Sequence, residues 1–125
     1  MAEIVVDGYR VTTEQRDQAG GYRILVDGAP VPMTLTRTET IIGNISTSTR
    51  QTEPPRAVDW LPDTAWPDSA RISLHPDRTV DVSYSEETGY VYNTAVWRWV
   101  RILLTFNPAY THVDVSWNHT ADVST

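Results

Sequence analysis

Arg71-Ile72-Ser73-Leu74-His75, Val80-Asp81-Val82-Ser83-Tyr84-Ser85 and His112-Val113-Asp114-Val115-Ser116-Trp117 are three runs in which apolar and polar residues alternate one by one. Successive side chains of a strand point to opposite faces of a sheet, so a period of two writes half-buried antiparallel strands. Ile72 and Leu74, Val82 and Tyr84, and Val113 and Val115 are predicted to face a core. The fold class that follows is all-β: a small antiparallel β-sandwich or β-barrel. Ile24, Val26, Val100, Ile102 and Leu104 complete the expected core.

Around these runs the chain is punctuated by turn residues. Asp7-Gly8, between Ile4–Val6 and Tyr9–Thr12, suits a two-residue hairpin, because both positions accept positive φ at little cost; Asp27-Gly28 repeats the pattern. His75-Pro76-Asp77-Arg78 predicts another hairpin, and Glu86-Glu87-Thr88-Gly89 the next turn. Met33–Ile42 reads as a strand that begins at a sheet edge, since Pro30 and Pro32 cannot donate ladder hydrogen bonds. Tyr90–Phe106 reads as one β run, far longer than the usual five or six residues, which calls for a bend or a bulge. In its second half both faces are apolar: Val96, Val100, Ile102, Leu104 and Phe106 on one, Trp97, Trp99 and Leu103 on the other.

Residues 44–69 differ from the rest. Prolines 54, 55, 62 and 67 and many hydroxyl side chains make a proline/threonine/serine-rich segment that packs poorly on itself. It is expected to form an extended arm or loop outside the core of its own domain, and structureless connections of this length tend to be functional. Trp60 and Trp66 lie within it. Two placements compete: docking on a partner, or tucking back as anchors of the loop, which the usual burial of tryptophan favours.

At 125 residues the chain suits a single domain, residues 1–125, with enough length for a true core. It has no cysteine, which excludes disulfides, thiolate metal sites and thiol nucleophiles. All 10 basic residues are arginine, most simply a mark of a GC-rich genome. A net charge of −6 argues against duplex nucleic acid or an anionic membrane as partner, since both require a cationic face. The first twenty residues are too charged for a signal-peptide core, so a cytoplasmic or virion setting is expected over secretion.

The sequence carries no Gly-x-Ser-x-Gly, Walker loop, Gly-x-Gly-x-x-Gly or His-Glu-x-x-His pattern. His112 and Asp114 share a strand face at a workable ligand spacing, but only His75 and His119 remain to complete a site; no metal and no cofactor is expected. Asp59, Asp63 and Asp68 are read as turn formers and not as paired acid and base. Thr34, Thr36, Thr38 and Thr40 form a hydroxyl row on one strand face. Trp97, Trp99 and Arg101 share a face that could stack bases or sugar rings, against the simpler placement of tryptophan in the core.

Three functions fit. The first is a non-enzymatic assembly protein that associates with itself or neighbouring structural proteins as a homo-oligomer, for which a phage capsid, connector or tail is the natural setting. Its interface candidates are Trp60, Trp66, Trp97, Trp99, Arg101 and Leu103. The second is a carbohydrate-binding module, suggested by 5 tryptophans and 6 tyrosines on a β scaffold. The third is a small β-barrel enzyme acting on an apolar molecule, since a barrel pocket leaves no local motif.

Overall fold

The computed structural model describes residues 3–18, 20–44, 47–91 and 94–122. Among them every regular element is a strand: β1 (Ile4–Val6), β2 (Tyr9–Gln15), β3 (Tyr22–Val26), β4 (Ala29–Pro30), β5 (Met33–Asn44), β6 (Thr47–Thr52), β7 (Arg56–Val58), β8 (Arg71–His75), β9 (Thr79–Val91), β10 (Thr94–Phe106) and β11 (Val113–Asp122). β1-β2-β3-β4 form a small meander. The larger sheet runs β6-β5-β11-β10-β9-β8, with β7 also paired to β5. Both sheets are open and pack together, so the fold is a sandwich and not a barrel.

The turns follow their residues. Asp7 and Gly8 have φ of 51° and 85°, Asp27 and Gly28 φ of 50° and 84°, the paired positive values of a two-residue hairpin turn. They close Val6 against Tyr9 and Val26 against Ala29. The turn after His75 places Asp77 and Arg78 at positive φ and sets His75 against Thr79. Glu86–Gly89, by contrast, is not a turn: β9 continues to Val91, and the register shifts between Val96 and Trp97. Gly89 pairs with Val96 and Glu87 with Trp97, so Thr88 is the extra residue of a bulge, a common use of glycine-flanked strand positions. The long Tyr90–Phe106 run is thereby divided between two strands.

One pairing departs from the antiparallel expectation. β11 runs parallel to β5, from Val113 beside Met33 to Asp122 beside Ile42. Alternation fixes which face a strand shows and is silent on the direction of its neighbour. Parallel neighbours require a long crossover, and residues 45–112 supply it. β5 is therefore an interior strand, flanked by β11 on one side and by β6 and β7 on the other; the edge element near the prolines is β4.

The core lies between the sheets. Ile4, Val6, Val11, Tyr22, Ile24 and Val26 of the small sheet meet Met33, Leu35, Val80, Val82, Val100, Ile102, Leu104, Phe106, Val113, Val115 and Trp117 of the large one. Ile72 and Tyr84 pack against this cluster while partly exposed. Leu74 does not join it: at 57% exposure it sits on the edge strand, beyond the small sheet's cover.

The mid-chain segment is tied to the domain rather than extended from it. β6 and β7 line the same side of β5, and the Glu53 N–H donates to the Arg37 carbonyl at 2.8 Å. Leu61 and Tyr22 then exchange backbone hydrogen bonds at 2.7 and 3.2 Å. Gly21 makes that approach possible: its φ is +98°, and a Cβ there would lie 2.8 Å from the Leu61 carbonyl oxygen. Leu61 and Trp66 are buried to 1% and 2% exposure, which corrects the expectation of an arm lying outside the core. Proline and hydroxyl content made the segment irregular; its two large apolar side chains drew it back. Residues 45 and 46 lie outside the described set.

Candidate functional site: the open face of the large sheet

The small sheet covers one face of the large sheet. The other face carries side chains whose rows follow from register: Thr38, Asn118, Arg101, Ser83 and Arg71 across five strands, then Thr40, Thr120, Trp99 and Ser85, then Ile42, Asp122, Trp97 and Glu87. No apolar residue of this face belongs to the core cluster. Trp97 and Trp99 are 40% and 45% exposed, and Leu103 is half-buried. The threonine row of β5 lies here as well, with Thr38 bonded to Thr52 through their hydroxyls at 3.2 Å.

Around Trp99 the face is concave. A shallow groove of about 700 Å³ is lined by Trp99, Ser83, Ser85, Arg71, Arg101, Asn118 and Thr120, with Ser69 at its margin. Arg101 is pinned by a two-pronged pair with Asp81, Nη2 to Oδ2 at 2.8 Å and Nε to Oδ1 at 3.2 Å. His75 Nε2 lies 3.4 Å from the same carboxylate. Hydrogen bonds from Arg101 hold the Asp81 carboxyl below the usual aspartate value, against the opposing effect of its burial. The groove floor is thus one aromatic plane in a frame of hydroxyls, an amide and two guanidinium groups.

A second polar cluster lies on the inner side, where the long strands pass the end of the small sheet. Arg98 bridges Asp63, at 2.8 Å, and Glu86. The Tyr22 and Tyr84 hydroxyls, Trp66 Nε1 and Arg37 Nε are buried without a hydrogen-bond partner among the described residues. Burial raises both phenol pKa values, that of Tyr84 to about 12, so the two hydroxyls stay protonated at neutral pH. His119 stacks on Trp117 at 5.3 Å and is held below the ordinary histidine value by burial. These are groups suited to binding.

The residues singled out by sequence divide between these regions. Trp97, Trp99, Leu103 and Arg101 come together on the open face. Trp66 sits in the core, its ring edge-on to Tyr22 at 6.1 Å. Trp60 is half-buried on its own chain, with the guanidinium groups of Arg23 and Arg16 at 4.6 and 5.5 Å from its ring. The histidines are dispersed: His112 bonds Asp114 at 3.1 Å at the start of β11, His75 stands on β8, and His119 faces inward. Among the described residues no three His, Cys, Asp or Glu side chains converge as a metal site would require. Arg98 and Asp81 were not singled out, and Asp63 was read only as a turn former, because their pairing depends on strand order that no local pattern encodes. No helix among the described residues is long and apolar enough to cross a membrane. No protein-family model, curated protein or solved structure matches the chain.

Proposed function

We propose that this chain is a non-enzymatic assembly protein that joins copies of itself or neighbouring structural proteins through the open face of its larger sheet. A virion capsid, connector or tail part is the setting that goes with the proposal. The observation that carries it is the pair Trp97 and Trp99, two large aromatic side chains at 40% and 45% exposure on a face with no second layer among the described residues. Tryptophan and arginine are the side chains that most often anchor protein interfaces, and exposed apolar clusters of this kind mark contact surfaces. The test is light scattering on the purified chain, alone and with proteins of its native assembly, beside a Trp97→Ala/Trp99→Ala double variant. Association weakened in the variant is expected. Association unchanged in the variant would remove the open face from the proposal.

The groove around Trp99 favours a second reading. One exposed indole framed by Ser83, Ser85, Asn118 and Thr120 matches what a sugar ring requires, a flat apolar surface with hydrogen-bonding groups around it. Saturable binding in a glycan screen, abolished by Trp99→Ala in a chain that binds no protein, would put the carbohydrate-binding function first.

A further inference from the structure

Among the described residues the sandwich has four outer edges, and they are not finished alike. β4 has two residues and includes Pro30, which has no N–H to offer. β1 has three residues. β6 reads Thr-Ser-Thr-Arg-Gln-Thr, without one apolar side chain, and Pro54 and Pro55 separate it from β7. Shortness, proline and polar side chains are the devices by which proteins keep an edge from templating another strand. β8 uses neither of the first two, and its inward side chains are Ile72 and Leu74. All five of its residues pair with β9 in unbroken register. No strand among the described residues lies on its other side. Beside it a groove bordered by Val6, Asp7, Leu74 and Arg78 stands open, which leaves Leu74 at 57% exposure.

We propose that β8 is the pairing edge of a symmetric dimer. The β8 strand of a second copy adds antiparallel to it, and the large sheets of two chains become one continuous sheet. The occupant is a second copy because the strand complements itself. Antiparallel pairing about Ser73 sets Ser73 against Ser73 of the second copy and Ile72 against its Leu74. Both leucines are then covered by isoleucine across the two-fold axis. Arg71 meets His75 of the second copy, a position where Asp81 already stands 3.4 Å from the imidazole, so a carboxylate lies beside the two basic groups. A ladder of five residues spans about 17 Å, less contact than the ~1,000 Å² of a firm interface. The dimer is therefore expected to be weak and concentration-dependent. The proposal shares the premise that the protein works by association, but uses a surface separate from Trp97 and Trp99.

Because the chain has no cysteine, a single introduced thiol reports on the pairing. Facing residues of antiparallel strands have Cα atoms about 4.5–5.5 Å apart, within disulfide range. Ser73→Cys is expected to give a disulfide-linked dimer under mild oxidation. An equimolar mixture of Ile72→Cys and Leu74→Cys should give more cross-linked product than either alone, and Asp17→Cys, on an exposed loop, should give little. In sedimentation velocity the native chain should shift towards dimer with rising concentration, and Leu74→Glu should remain a monomer with an unchanged circular dichroism spectrum. Equal cross-linking at Ser73 and Asp17, a native chain monomeric at every concentration, or a dimer indifferent to Leu74→Glu would each overturn the proposal. A dimer lost in Trp97→Ala/Trp99→Ala yet kept in Leu74→Glu would overturn the edge and leave the open face standing. The reverse pattern supports the edge and removes the face from self-association.

Discussion

At the residue scale, the most consequential group that local pattern does not reveal is Asp81. In sequence it is one polar position in an alternating strand, predicted to face away from the core, and it does. What alternation cannot supply is the neighbour across the ladder, Arg101 from one side and His75 on the other, because that depends on which strands lie together. The folded state lowers the Asp81 pKa, chiefly through hydrogen bonds from Arg101. Its stabilising contribution is therefore complete above the unfolded value near 3.9 and is lost as pH falls through the lower folded value. Arg101 is 58% exposed, so solvent screening keeps the contribution to roughly 1 kcal/mol or less. Asp81→Asn is expected to be less stable than the native chain at pH 7 and to converge on it near pH 2. Urea midpoints across that range check this; a gap that widens in acid would contradict the assignment.

At the scale of elements, the hairpins were readable because a turn demands particular residues. Asp7-Gly8 and Asp27-Gly28 accept the positive φ that their turns require, and their strands follow. The division between β9 and β10 was not readable. Gly89 resembles a turn residue but lies inside a strand beside a bulge, and the junction carries no glycine or proline to announce it. The mid-chain segment misleads for a different reason. Its composition describes its backbone correctly as irregular, while Leu61 and Trp66, only two residues, determine where it goes. Trp66→Ala is accordingly expected to cost about 3–5 kcal/mol, the usual cost of truncating a buried aromatic. That is a large share of the ~5–15 kcal/mol stability of a domain. A denaturation midpoint lowered by less than a few tenths of a kcal/mol equivalent would show the segment to be dispensable.

At the scale of the whole molecule, both faces of β10 are apolar, and the fold needs only one of them. Val100, Ile102, Leu104 and Phe106 are buried against the small sheet, while Trp97, Trp99 and Leu103 on the reverse face contribute to no core. The sequence showed the two-sided strand but not which side had a cover, because the number and length of strands in the second sheet decide that. Folding stability and binding should therefore separate cleanly. Trp97→Ala/Trp99→Ala should leave the stability of the dilute, monomeric chain within about 0.5 kcal/mol of native, as surface substitutions usually do. Trp117→Ala, one strand away but facing inward at 3% exposure beneath the Arg37 guanidinium, should cost about 3–5 kcal/mol. Denaturant titration of the three chains at low concentration measures both. If the exposed pair proved as costly as Trp117, these indoles would be holding the monomer together, and a surface kept at no benefit to folding would no longer call for a partner to explain it.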